Sequence, residues 1–278
     1  MKKYIRKPIF CGISGHKYVD GKYHFKIDFE KNSDKDAIQF INPYFKESRL
    51  AGANIYWFGY QFNGSIDREY RDACIQYLKN VQPEDVTSDF GINEIDLYNM
   101  IERSMRNIRL DNLSVDAIVY PISSTNNLVK YIARSIRRYL NEPSKLTMHE
   151  IIKADPANIT LDIERCLIDI EDGNLDDHEG LINEDYLYEL QDTIRSRSDF
   201  SLRRDIHPTE LRWYIQNFVQ FRQVTQALIS ADKILIVDDF KTTGATLSDI
   251  IRIITQYNKE CQIYVFTLLG NNRSALSK

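Results

Sequence analysis

The sequence predicts an α/β protein built on a parallel sheet, and three observations carry that expectation. Residues 115–121 (VDAIVYP), 233–239 (KILIVDD) and 262–268 (QIYVFTL) are short apolar runs rich in β-branched residues, the pattern of strands buried on both faces. After the first run, Leu128, Tyr131, Ile132, Ile136, Tyr139 and Leu140 recur at helical spacing; after the second, Leu247, Ile250, Ile251 and Ile254 do the same. Strand, turn, helix and strand over 233–268 make a βαβ unit, which requires parallel strands with covering helices.

Composition sets the outer limits. The 278 residues leave room for one large domain or two modest ones. With 43% apolar and 27% charged residues, the chain is neither disordered, collagenous nor a coiled coil. A net charge of −4 gives no bulk attraction to nucleic acid or to an anionic membrane, so neither is an expected partner. Charges interrupt every hydrophobic run well short of the roughly twenty residues that cross a bilayer. The apolar stretch near the N-terminus ends at His16 and Lys17, too soon for a secretory leader. Cys11, Cys74, Cys166 and Cys261 lie far apart, without a CxxC pair or a histidine cluster. They read as buried thiols in a reducing cytoplasm.

Residues 1–110 form an α+β region. Asp20-Gly21 and Asn63-Gly64 are tight-turn signals, residues 55–62 (IYWFGYQF) read as a strand, and helices are expected over about 65–78 and 93–108. Residues 111–278 form the sheet core, with an insertion near 160–200. Within it, eight acidic residues stand against the single Arg165 over 162–179, which reads as a solvated segment and leaves the rest of the chain mildly basic. A calcium loop does not fit there, because aligning Gly173 with the loop glycine puts Ile168 at the first ligand position. A helix is expected over 210–229.

The segment most informative about chemistry is ILIVDDFKTTGATLSDII, residues 234–251. Its strand delivers Asp238 and Asp239 to the carboxyl end, where open α/β sheets bind their ligands. Lys241, Thr242, Thr243, Gly244, Ala245 and Thr246 then open a helix. Unpaired amides and the positive end of the helix dipole make a seat for phosphate there, with the threonine hydroxyls as further donors. Carboxylates one step away suit vicinal hydroxyls or a hydrated magnesium ion, so the two halves together describe a phosphorylated sugar. The segment is not a Walker loop, since no GxxxxGK[ST] occurs. A receiver domain needs more chain than the 39 residues after Asp239.

The segment resembles the phosphoribosyl diphosphate signature of type I phosphoribosyltransferases, an apolar strand followed by D-D-x-x-T-T-G-A-T. It departs only at Lys241, where the family usually carries an aliphatic residue. The resemblance covers about residues 115–270 and implies a core of that family's kind. It implies that Asp238 and Asp239 hold the ribose hydroxyls and support the reaction, and that 241–246 bind the 5′-phosphate. It further implies that Ile122, Ser123, Ser124, Thr125 and Asn126 form the diphosphate loop after the first core strand. The basic residue common in such loops is absent here, and Lys130 is the nearby substitute. A flexible catalytic loop is implied between 126 and 238, with Arg195, Arg197, Arg203 and Arg204 as its cations, and an acceptor-binding hood within 1–110. Mg²⁺ would arrive through the donor, with Asp238 and Asp239 as its candidate protein contacts. The implied activity is transfer of phosphoribosyl to a nitrogen nucleophile with release of diphosphate, and no motif names the acceptor. Two further readings are a catalytically silent nucleotide sensor of the same fold and an effector of a microbial conflict system. A homodimer or a protein partner would engage the N-terminal region.

Overall fold

The computed structural model describes residues 12–17, 23–28, 38–40, 52–62, 68–84, 90–108, 113–123, 126–140, 145–240 and 244–270. Cys11 and the turns expected at Asp20-Gly21 and Asn63-Gly64 lie outside them.

The N-terminal half supplies β1 (Gly12–Lys17), β2 (Tyr23–Asp28), β3 (Ile38–Phe40), β4 (Ile55–Phe62), α1 (Arg68–Lys79) and α2 (Glu94–Ile108). The core continues with β5 (Ala117–Pro121), α3 (Leu128–Tyr139) and β6 (Thr147–Lys153). An inserted unit holds β7 (Thr160–Leu161), α4 (Ile163–Glu171), α5 (Glu184–Ser196), α6 (Leu202–Asp205) and β8 (Ile215–Gln216). The chain returns through β9 (Val219–Phe221), α7 (Gln226–Ile229), β10 (Lys233–Phe240), α8 (Ala245–Tyr257) and β11 (Gln262–Gly270).

The nine-stranded sheet has the order β2-β1-β3-β4-β11-β10-β5-β6-β9. Its five central strands, β4 to β6, run parallel. The antiparallel β1–β3 group extends one edge and β9 the other. The three expected core strands and both covering helices are present, so the α/β class read from the sequence holds. Pairing of β4 with β11 ties the N-terminal residues into this sheet.

Side chains alternate along β10. Leu235 and Val237 join a cluster with Leu78 of α1, Met100 and Ile101 of α2, and Ile132 of α3. Ile234 and Ile236 face the other way, onto Leu247, Ile250 and Ile254 of α8. Thus α3 and α8 cover opposite faces. The connection from β5 also leads away from β10, to β6, whereas that from β10 leads away from β5, to β11. The β5–β10 junction is therefore a topological switch point, the place where open α/β sheets leave a crevice.

Two expectations are corrected. The acidic stretch 162–179 is not a solvated segment: Cys166, Asp169 and Leu175 are buried, and Ile159, Leu187, Ile194, Phe200, Leu211 and Ile215 complete a separate apolar core. Apart from the buried Asp169, its acids lie on the outside of α4, at its caps and in the turn that follows, as with Asp162, which accepts the Arg165 N–H at 3.2 Å. Nor is 210–229 one helix. A 3₁₀ turn (Thr209–Tyr214), two short strands and α7 take its place. The break falls at Asn217, which has φ 56°. Its N–H donates to Asp249 Oδ1 at 3.2 Å, and its side-chain oxygen accepts from Arg252 at 2.8 Å. Asp249, buried on α8, also accepts from the Val219 N–H at 3.0 Å, so one carboxylate joins α8 to the end of the insertion.

Among the described residues, no helix is long and apolar enough to cross a membrane. Helix α2 sits unusually close to the sheet at Gly59, where an added Cβ would lie 2.5 Å from Ser104 Oγ and 3.1 Å from both Ser104 Cβ and the Leu268 carbonyl. The hydroxyl can rotate aside, but the other two atoms cannot. Gly59→Ala should therefore lower stability by about 1–3 kcal/mol. Thermal unfolding would check this, with Ser104→Gly in the same chain recovering part of the loss.

Candidate functional site

Asp238 and Asp239 end the buried part of β10, but strand alternation sends them to different faces. Asp238 points to the α8 side and is 8% exposed. On that side Tyr56 Oη and Thr267 Oγ1 form a 2.8 Å hydrogen bond. The Asp239 N–H donates to Asp238 Oδ1 at 2.8 Å. Burial pushes the Asp238 carboxyl well above the usual carboxylate range, and the negative charge of Asp239 pushes it further. Asp239 faces the α1 side, where Lys79 Nζ, from the last residue of α1, lies 3.6 Å from its Oδ2. The two acids thus sit beside one ammonium, with conditions that favour a proton on Asp238.

After β10 the chain turns into α8 through Gly244, whose φ of 93° is a left-handed conformation that suits glycine. Gly244, the N-cap residue, has no side chain to offer the amides that follow it, and no acid occupies the first turn of α8, so that end keeps the polarity that draws anions. Ala245 is buried and Thr246 half-buried. Lys241, Thr242 and Thr243 lie outside the described residues.

Across the switch point, the loop after β5 is pinned at its start by the Ile122 N–H, which donates to the Ile151 carbonyl at 2.8 Å. Asn126 Nδ2 donates to Ser123 Oγ at 3.3 Å, and its Oδ1 accepts the Leu128 N–H at 3.2 Å, so the loop closes at the start of α3. Ser124 and Thr125 lie outside the described residues. A cavity of about 120 Å³ adjoins this loop, lined by Ser123, Asn126, Lys130, Glu150 and Arg222 among others. Arg222 Nη1 donates to Glu150 Oε2 at 2.7 Å, and Tyr120 Oη donates to Glu150 Oε1 at 3.2 Å. The Arg222 hydrogen bond holds the Glu150 carboxyl below its usual range. Burial, then the Glu150 charge, pushes the Tyr120 phenol up to about 12. A larger cavity, about 830 Å³, runs along the outer edge of β6 past Tyr120, Met148 and Arg222, away from the two acids.

The fold therefore brings the ends of β5 and β10 together, with Asp238 and Asp239 at the end of β10, Gly244 and Thr246 at the start of α8, and Ile122, Ser123 and Asn126 in the loop after β5. It pairs two arginines of the expected catalytic loop with an acid of the inserted unit. Arg195 is in the last turn of α5, and Arg197 and Arg204 bind Asp205 at 3.1 and 2.9 Å, holding that carboxyl down to about 2, chiefly through Arg204. The Arg203 side chain is outside the described residues. Sequence reasoning missed Lys79, Glu150 and Arg222. Lys79 is separated from Asp239 by 160 positions, and only its place as the basic last residue of a helix marked it.

No protein-family profile matches the sequence, and no curated protein matches it. Two crystal forms of a hypoxanthine phosphoribosyltransferase from Staphylococcus aureus are similar in part. The orthorhombic form aligns with 64% of this chain at TM-score 0.33 and 12% identity, and the alignment spans 64% of that protein, under two thirds of its length. The tetragonal form aligns with 66% at TM-score 0.34 and 11% identity and is covered over 68%.

A carboxyl whose value is raised by folding adds stability below its unfolded value and loses that contribution as pH climbs through the folded one. Asp238→Asn keeps an acceptor for the Asp239 N–H but removes the ionisation. The variant should melt above wild type at pH 8, and the difference should vanish below the ordinary carboxyl value of 3.8. Melting curves across that range would check it.

Proposed function

We propose that this protein binds 5-phosphoribosyl diphosphate across the switch point and transfers its phosphoribosyl group to a nitrogen nucleophile. The observation that carries the reading is the joint position, at the carboxyl end of one buried strand, of two acids and a left-handed glycine opening a helix with no acid in its first turn. The acids suit the ribose hydroxyls, with a protonated Asp238 donating to one and Asp239 accepting from the other. The first turn of α8 suits the 5′-phosphate.

In the proposed reaction the bond between ribose C1 and the diphosphate oxygen breaks, and its electron pair leaves with the diphosphate. Positive charge grows on C1 and the ring oxygen, where the Asp239 carboxylate opposes it. The nitrogen lone pair then forms the bond to C1, and the proton of that nitrogen passes to solvent. Among the described residues no cluster of three acidic, histidine or cysteine side chains forms a metal site. With Lys79 beside one acid and burial opposing charge on the other, the pair offers little unbalanced charge to a divalent cation. Mg²⁺ is accordingly proposed to travel with the donor's diphosphate, and no step above depends on it.

Calorimetric titration of 5-phosphoribosyl diphosphate with Mg²⁺ should show binding to wild type. The double variant Asp238→Asn, Asp239→Asn should bind at least about tenfold more weakly through lost hydroxyl contacts. Equal affinity, or no binding by wild type, would refute the reading. The compensated charge of the acid pair also favours a second reading, binding without turnover. Diphosphate release assayed over a panel of nucleobases separates the two, since a sensor binds the donor and releases nothing.

A further inference from the structure

Resting on that reading, we propose that Arg222 is a binding residue for the donor's diphosphate, selecting ribose that carries a diphosphate at C1 over ribose 5-phosphate alone. The loop after β5, residues 121–126, contains no cation of its own. A polyanion beside it needs opposing charge from elsewhere, and the fold brings two cations to the adjoining cavity: Lys130 from the first turn of α3, and Arg222 from the residue after β9.

Arg222 is held in place without being used up. Its backbone N–H donates to the Glu150 carbonyl at 2.9 Å, which fixes the start of the side chain. Glu150 receives the guanidinium at 2.7 Å on one oxygen and the Tyr120 hydroxyl at 3.2 Å on the other, so the acceptor is itself oriented. A guanidinium carries five N–H donors in a planar fork matched to phosphate oxygens, and the Glu150 bond occupies one of them. The side chain remains 65% exposed. Lys130 and Arg222 outnumber Glu150 among the charged groups lining the cavity, leaving it cationic. The position fits as well. Strands β10, β5 and β6 are consecutive, so Glu150 lies two strand spacings from the acids, about 10 Å, with the loop descending between them. An exposed ion pair contributes little to folding, so its placement against the cavity is better explained by binding than by stability.

Titrating 5-phosphoribosyl diphosphate and ribose 5-phosphate separately into wild type, Arg222→Gln and Arg222→Lys tests the assignment. Arg222→Gln should bind the diphosphate donor about tenfold more weakly, a loss of about 1.4 kcal/mol, because it removes a charge-assisted bond. Its affinity for ribose 5-phosphate should stay at the wild-type value, and Arg222→Lys should recover part of the loss. If Arg222→Gln binds the donor as wild type does, while the double aspartate variant has lost it, the role of Arg222 falls and the proposed function stands. Equal weakening toward both ligands makes Arg222 structural and also overturns the role. Wild type that binds no donor removes the function and the role together.

Discussion

The site depends on one constraint of chain geometry: the two crossovers that leave the middle of the sheet diverge. Helix α3 carries the chain from β5 toward β6 over one face, and α8 carries it from β10 toward β11 over the other. Each connection carries its chain away from the β5–β10 junction to a different neighbouring strand. The carboxyl ends of β5 and β10 therefore lie where neither crossover passes, the position at which open α/β sheets bind their ligands. The buried acid pair, the left-handed glycine and the loop after β5 owe their proximity to this divergence.

Electrostatics follows from that placement. Two adjacent carboxylates beside a hydrophobic sheet would be costly as a free double negative charge. The protein lowers the cost twice, by surroundings that favour protonation of Asp238 and by the Lys79 ammonium beside Asp239. Lys79 belongs to α1, which docks through aromatic contacts: Phe25 of β2 lies 5.6 Å from the Tyr70 ring and 5.3 Å from that of Tyr77. The charge state at the end of β10 thus depends on packing among the N-terminal residues, although the acids themselves lie more than a hundred positions later.

The parts of the fold that were readable in the sequence are those governed by local periodicity. Apolar runs at 115–121, 233–239 and 262–268 read as buried strands, and the 3.6-residue repeats after the first two marked α3 and α8. The same reasoning failed over 162–179, because surface acids outnumbered the few inward residues, Cys166 and Leu175 among them, that give that unit its core. It failed over 210–229 because a helical spacing of apolar residues carries no sign of the left-handed Asn217 that interrupts it. Within the site, the adjacent acids and Gly244 were legible because strand end, turn and helix start are contiguous. Lys79, Glu150 and Arg222 were not, since they reach the site through pairings between strands and helices distant in the chain, which no local pattern encodes.

The bond network around Asp249 ties these regions mechanically. Its carboxylate is gripped from one direction by the backbone at 217 and 219, where the inserted helical unit rejoins the sheet, and from the other by Arg252 on its own helix. Asp249 lies little more than one turn beyond Gly244, so the insertion and the start of α8 share a single rigid anchor. A displacement of that unit large enough to tilt its exit strand would drag the anchor with it and re-aim the amides at the head of the helix, coupling the surface of the whole insertion, residues 160–216, to the orientation of a few N–H groups.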